Sequence, residues 1–271
     1  MTHDHHLPMR LLSQNIGAQI DLDLSLKHED WVYDEIRKAI DRHGVVFFRN
    51  QSIDSDQYAA FGRRFGTAIV PKSDIIPALN GSQEIAEVRK EPDQIGNIGG
   101  SWHTDQAFRP HPYWGTLLLA REVPDFGGDT LFIHMAAVYE ALSPGLKATL
   151  ATLKAVHSNA RVQAKKANGK PAQPDVIHPV IGTHPSDGHK FLYVNPAYTV
   201  RFEGWTDKES QPLLDYLYAF AERPEFMCRF RWDVGSLAFW DNYQTWHYAT
   251  DDYAGKRRVM HRIVVTSAPF S

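Results

Sequence analysis

Eight short runs rich in β-branched and aromatic residues punctuate the chain: VVFFR (45–49), IAEVR (85–89), TLLLAR (116–121), DTLFI (129–133), KFLYV (190–194), CRFRW (228–232), SLAFW (236–240) and VMHRIVVT (259–266). They are bounded by Gly, Pro, Asp and Asn, residues that end strands and begin turns. Strand and helix do not alternate regularly between them, which speaks against a parallel α/β sheet. The pattern predicts a mostly β molecule, a sandwich or barrel with helices outside it.

The helices read from spacing and caps. Val32, Ile36, Ala39 and Ile40 share one face within 28–42, and Tyr58, Phe61 and Phe65 do so within 54–66. Ser143 followed by Pro144 has the form of an N-cap and first helical residue, with Leu146, Leu150 and Leu153 as its stripe. Thr206 and Glu209 form a capping-box pattern before Leu213, Leu214, Leu217 and Ala221. Pro212 lies inside that run and is expected to delay the regular part of the helix. Residues 160–176, poor in large apolar groups, and residues 71–82, which carry Pro, Asp, Asn and Gly, are expected to be solvated loops or lids.

At 271 residues the chain is near the upper end for one β-rich domain, and 43% hydrophobic residues supply a core that needs no staples. Residues 1–10, with His3, His5 and His6, are expected to be a flexible tail, and 11–271 a single domain. The one cysteine, Cys228, cannot form an internal disulfide; it reads as a small core residue in a reducing, cytoplasmic setting. A formal charge of −3 without a basic stripe argues against nucleic acid as a partner. The apolar runs are too short for a membrane span, and the first ten residues lack the apolar stretch of a signal peptide.

Chemistry concentrates in GGSWHTDQAF (99–108). Residues two apart on an extended chain face the same way, so His103 and Asp105 converge there. Two imidazoles and one carboxylate on one side of an octahedral iron(II) leave the opposite side open for oxygen. His247, expected just after a strand and the WDN turn, is a credible third ligand brought back by chain reversal. On its own, an HxD pair is more often a surface feature. Arg258, Met260, Arg262 and Val264 share one face of the last strand, and Val259, His261, Ile263 and Val265 share the other. Two arginines on a core strand are costly unless an anion meets them, and a guanidinium fork grips a carboxylate through two hydrogen bonds. His134, His178, His184 and His261 read as structural.

With these residues in place the sequence resembles the iron(II)/2-oxoglutarate-dependent dioxygenases of the TauD/TfdA group. The resemblance runs from IGAQI (16–20) to HRIVV (261–265) through HGVVFFRNQ, FGRRFG, WHTD, GGDT, VYEALSP, HPVIGTHP, FLYVN, WDN and HYATDDYAGKRRVMHR, in that order. It implies a double-stranded β-helix (jelly roll) core with flanking helices. It also implies His103, Asp105 and His247 as the catalytic iron ligands, and Arg258 and Thr130 as partners of the distal carboxylate of 2-oxoglutarate. Trp240 corresponds to an aromatic packed near that cosubstrate, and Arg262 to the arginine that grips an anionic substrate. The implied cofactors are Fe(2+), 2-oxoglutarate and O2, and the implied assembly is a homodimer or homotetramer.

The implied reaction hydroxylates a C–H bond of a small anionic substrate (a sulfonate, sulfate ester or aryloxyalkanoate) with release of succinate and CO2. FGTAIVPKSDII (65–76) lacks the histidine that taurine-binding members place there, which argues against taurine itself. LKAVHSNARV and the stretch from FEGWTDKES to FMCRFRW are closer to members that cleave aryloxyalkanoates. Phe108, Tyr113, Trp114 and Tyr198 are candidate pocket walls. Two other readings share the same ligands: a natural-product tailoring oxygenase, and a non-redox zinc hydrolase.

Overall fold

The strand Arg258–Thr266 is the axis of the larger of two facing sheets. It pairs antiparallel with Gly115–Glu122 on one side and with Ile85–Lys90 and Thr67–Ile69 on the other. Beyond Gly115–Glu122 the sheet continues through Leu237–Asp241, Val45–Phe48, Ala18–Ile20 and Met9–Leu11. Only the Ala18–Ile20 and Val45–Phe48 pair in this sheet is parallel. The opposing sheet is Met227–Phe230, Thr130–His134 and Thr245–Ala249, all antiparallel. This is a jelly-roll core. It is seen in a computed structural model that describes residues 7–71, 76–164 and 173–270.

The side-chain period of two sorts each strand between two environments. Leu118, Ala120, Trp240 and Met260 from the large sheet meet Phe132, Cys228 and Phe230 from the small one, in the layer between the sheets. Leu117, Leu119, Phe239, Ile263 and Val265 point the other way, onto the helices Asp30–His43 and Ser55–Arg63 through Ile36, Ile40, Tyr58 and Phe61. On the far side, Ile133 and Trp246 pack under the helices Met135–Ala141 and Asp207–Ala221. The sheets therefore hold the inner layer rigidly while the helices shield their outer faces. Burial pushes the Cys228 thiol up to about 12, as suits a core residue.

Local signals set the helix ends. Asp54 with Gln57, and Thr206 with Glu209, form complete capping boxes. Ser143 caps Pro144–Leu150. Gly44, at φ 73, closes the first helix with its N–H on Ile40 O and feeds directly into Val45–Phe48. Four expectations change. The helix Asp207–Ala221 runs unbroken through Pro212, whose exposed position leaves the freed Lys208 carbonyl to water. His247 lies inside the strand Thr245–Ala249 rather than after one. Ala160–Ala164 is a short helix in a stretch expected to be loop, and Leu79–Gly81 is a 3₁₀ turn in the other. Residues 72–75 and 165–172 of those two stretches lie outside the described residues. So do the tail residues 1–6 with their histidines, whereas Met9–Leu11 is an edge strand rather than tail. Among the described residues no helix is long and apolar enough to cross a membrane.

Candidate metal centre

Backbone pairing brings the first two candidate ligands together. His103 and His247 form an isolated antiparallel bridge, with His247 N–H donating to His103 O at 2.8 Å and His103 N–H to His247 O at 3.2 Å. Farther along, Ala249 N–H donates to Gly99 O, and the Asn97 amide donates to the carbonyls of Ala249 and Thr250. The segment 97–103 thus lies along the strand Thr245–Ala249 and lines up His103 beside His247. Their ring centroids are 4.1 Å apart.

Between His103 and Asp105 the side chains alternate. Thr104 turns away and donates its hydroxyl to the carbonyls of Asn242 and Thr245. Asp105, at the start of a turn rather than in extended chain, points back to the histidines. Its Oδ1 is 3.8 Å from His103 Nε2 and 3.9 Å from His247 Nε2, and the three donor atoms lie within 4.8 Å of one another. Two imidazole nitrogens and one carboxylate oxygen at this spacing fit the facial arrangement of a non-haem iron(II) site. Burial alone would raise the Asp105 carboxyl. Arg262, the two imidazoles and the Thr116 hydroxyl outweigh it and hold the group well below the ordinary carboxylate range. Burial, then the neighbouring His103, pushes His247 well below the usual imidazole range, leaving it neutral with a lone pair to offer. His103 Nδ1 meets Ser101 O at 2.7 Å, while His247 Nδ1 is buried without a partner.

Arg258, on the same strand as the Arg262 that reaches Asp105, is equally informative. Arg258 is only 6% exposed, and its Nε and Nη2 are buried with no hydrogen-bond partner. An unpaired guanidinium in such a place is costly unless an anion satisfies it. Gly128, at φ +69, makes room for it: a Cβ there would meet Arg258 Cδ at 3.2 Å and Tyr253 Cδ1 at 3.3 Å. Thr130 is buried two residues on, and its Oγ1 accepts from Trp232 Nε1 at 3.0 Å. An indole N–H can only donate, so the Thr130 proton remains available to another acceptor. The Arg258 guanidinium carbon lies 5.7 Å from the centroid of the same Trp232 ring.

Arg262 is not part of a surface ion-pair row. Its Nη2 donates to Asp105 Oδ2 at 2.6 Å, and both side chains are largely buried. Trp240 packs on His247 with ring centroids 4.7 Å apart, and its N–H is taken by Asn242 Oδ1 at 2.8 Å. Among the candidate pocket walls, Phe108 and Tyr198 face each other at 4.9 Å. Burial raises the Tyr198 phenol first, and then the Asp105 charge does, against Arg262. Tyr113 lies beneath the Arg109 guanidinium. Trp114 belongs to the core under the outer helices, with Arg37 stacked on it.

The other histidines named from the sequence are hydrogen-bonded within the fold. His134 is bonded to Asn15 O and Gln244 Oε1, and His178 to Arg109 O. His261 accepts from Arg121 on the outer face of its strand. His184 also belongs to two other groupings within ligand distance, with Asp187 and His189 and with Asp41 and Asp241. Both its ring nitrogens are already engaged, by Asp241 Oδ2 and Ser186 Oγ at 2.7 Å each. Four residues at the centre were not singled out from the sequence: Thr116, Asn242, Gly128 and Trp232. Thr116 carried one usable signal, a hydroxyl in register with the core-facing Leu118 and Ala120.

A family model described as taurine catabolism dioxygenase TauD, TfdA family matches residues 8–264. The chain is 32% identical over 274 residues to an alkylsulfatase of Acinetobacter baylyi, covering 96% of this chain and 84% of that protein. It is 32% identical over 248 residues to the alpha-ketoglutarate-dependent 2,4-dichlorophenoxyacetate dioxygenase of Cupriavidus pinatubonensis, covering 84% and 86%. A solved taurine dioxygenase from Burkholderia xenovorans has the same architecture, with a TM-score of 0.83 at 33% identity over 97% of this chain and 90% of that one.

Proposed function

The chain belongs to the TauD, TfdA dioxygenase family, and from that premise we propose that it is an iron(II)- and 2-oxoglutarate-dependent oxygenase of a small anionic organic substrate. His103 Nε2, Asp105 Oδ1 and His247 Nε2 would hold the metal. Iron with 2-oxoglutarate and O2 supplies the oxidising chemistry, releasing succinate and CO2 and delivering a hydroxyl to a C–H bond. The protein contributes binding, orientation and exclusion of water.

The observation that carries this reading is the buried, unpartnered Nε and Nη2 of Arg258, on the same strand as the Arg262 that bonds Asp105. They form one side of a carboxylate clamp, and the free Thr130 hydroxyl proton offers a further donor. A zinc hydrolase acting through bound water would need neither. For the substrate, Arg262 has N–H groups beyond the one given to Asp105, and these offer a positive grip for a sulfate, sulfonate or carboxylate. Phe108 and Tyr198 supply apolar walls next to it. Relatives named for alkylsulfate and aryloxyacetate chemistry support an anionic head on an apolar body, and the absence of a histidine in 65–76 speaks against taurine.

The test is succinate release by the iron-loaded protein on a panel of alkyl sulfates, alkanesulfonates, aryloxyalkanoates and their neutral esters or alcohols. Turnover with one anionic class and not with its neutral counterpart is expected. Turnover restricted to the uncharged compounds would overturn the anionic assignment.

A further inference from the structure

The two oxygens of Asp105 live in different environments, and the difference traces to a chain of donors that starts at Trp240, whose ring centroid lies 4.7 Å from that of His247. The Trp240 indole N–H donates to Asn242 Oδ1 at 2.8 Å. Asn242 Nδ2 donates to Thr116 Oγ1 at 2.8 Å. The Thr116 hydroxyl donates to Asp105 Oδ2 at 2.9 Å. Every direction in this chain is forced. An indole nitrogen has no acceptor, so it orients the Asn242 amide with its oxygen inward. The amide nitrogen can then only donate, so the hydroxyl proton of Thr116 must go to the carboxylate.

All three side chains are essentially inaccessible to solvent, so water cannot substitute for a lost link. Asn242 is fixed through its backbone as well: its N–H donates to Trp114 O at 2.6 Å, and its carbonyl accepts from Thr104, the residue between the two ligands of the WHTD segment. With Arg262 also on Oδ2, that oxygen is doubly occupied, and Oδ1 alone faces the two imidazoles.

We infer that Thr116 and Asn242, oriented by Trp240, are positioning residues that restrict Asp105 to single-oxygen ligation through Oδ1, keeping the rest of the coordination face free for cosubstrate and oxygen. This rests on the metal reading proposed above. It assigns Trp240 a role through its N–H in addition to its packing on His247. Outer hydrogen bonds of this kind typically change metal affinity by about 10–100-fold when removed.

The test is titration of the apoprotein with cobalt(II), followed by visible absorbance with chelator competition. Thr116→Val keeps the shape and the strand preference and removes only the hydroxyl. It should weaken cobalt(II) binding by about 10–100-fold, and Thr116→Ser, which restores the hydroxyl, should recover most of the loss. Trp240→Phe keeps the ring on His247 and removes the N–H; a smaller loss in the same direction is expected, and it decides the matter if Thr116→Val does not fold. Folded Thr116→Val, or Trp240→Phe in its place, binding cobalt(II) as tightly as the parent would overturn the relay while leaving the metal reading intact. A Thr116→Ser variant no better than Thr116→Val would also overturn it, since shape rather than the donor would then matter. Failure of the parent protein itself to bind cobalt(II) would instead overturn the metal reading and the relay with it.

Discussion

Replacing Arg258 with methionine should have two opposite effects. The guanidinium is buried with Nε and Nη2 unpartnered, so removing it relieves the protein of two desolvated donors. Each such group costs about 1–3 kcal/mol. Methionine keeps most of the stem that lies across Gly128 and forfeits the long cation–π contact to Trp232, about 0.5–1 kcal/mol. The balance favours the variant by at least about 1 kcal/mol, or about 2–4 °C in Tm for a domain of this size. Binding of 2-oxoglutarate should move the other way. A desolvated carboxylate that loses its bidentate partner is weakened by about 2–5 kcal/mol, which is about 30-fold to about 4,000-fold in Kd. The assays are thermal denaturation of the apoprotein and anaerobic calorimetry of 2-oxoglutarate with cobalt(II)-loaded protein. A variant that binds 2-oxoglutarate like the parent would refute the clamp. A Tm several degrees lower would show that Arg258 already has a partner in the fold, contrary to its observed surroundings.

Gly128→Ala should weaken 2-oxoglutarate binding and lower stability by about 1–2 kcal/mol, because its Cβ meets the Arg258 side chain and its φ is left-handed; an alanine variant unchanged in both would remove Gly128 from the account. Stability should fall on acidification through His157, whose Nε2 is buried without a partner. Burial, and then His178, lowers this group to about 3 from 6.5. The unfolded chain therefore binds the extra proton between those values, so the stabilisation is complete above pH 6.5 and is lost progressively as pH falls towards 3. At pH 5 the loss is about 2 kcal/mol. Chemical denaturation at pH 7 and pH 5 should show that much less acid sensitivity in His157→Leu, and equal sensitivity in both proteins would contradict the assignment.

Much of this architecture is legible in the sequence where the signal is local. Ser143 before Pro144, and Thr206 with Glu209, announce helix starts because a cap needs only residues a few positions apart. The alternation around Met260 and Ile263 announces two buried faces because side-chain direction has a period of two. Short strands such as Lys154–His157 and Thr199–Phe202 escape notice because four residues carry too little pattern and owe their state to pairing with each other. The strand around His247 is not legible because the chain crosses from one sheet to the other over residues 242–244, and no local signal tells such a crossing from a loop. The HxD spacing indicates that His103 and Asp105 converge. It cannot show that Arg262 reaches Asp105 from 157 positions away, nor that Trp240, Asn242 and Thr116 form one donor chain. Those facts depend on strand register, which links residues far apart in sequence.

The central claim is that His103, Asp105 and His247 hold one redox-active metal within reach of a keto acid clamped by Arg258. Its most direct measurement is anaerobic addition of iron(II) and then 2-oxoglutarate to the apoprotein, followed in the visible spectrum. A new band that requires both components, appears in the parent protein and is absent from Asp105→Ala and His247→Ala is the predicted result. Bound iron that gives no 2-oxoglutarate-dependent band, or a band that persists in those variants, would contradict it.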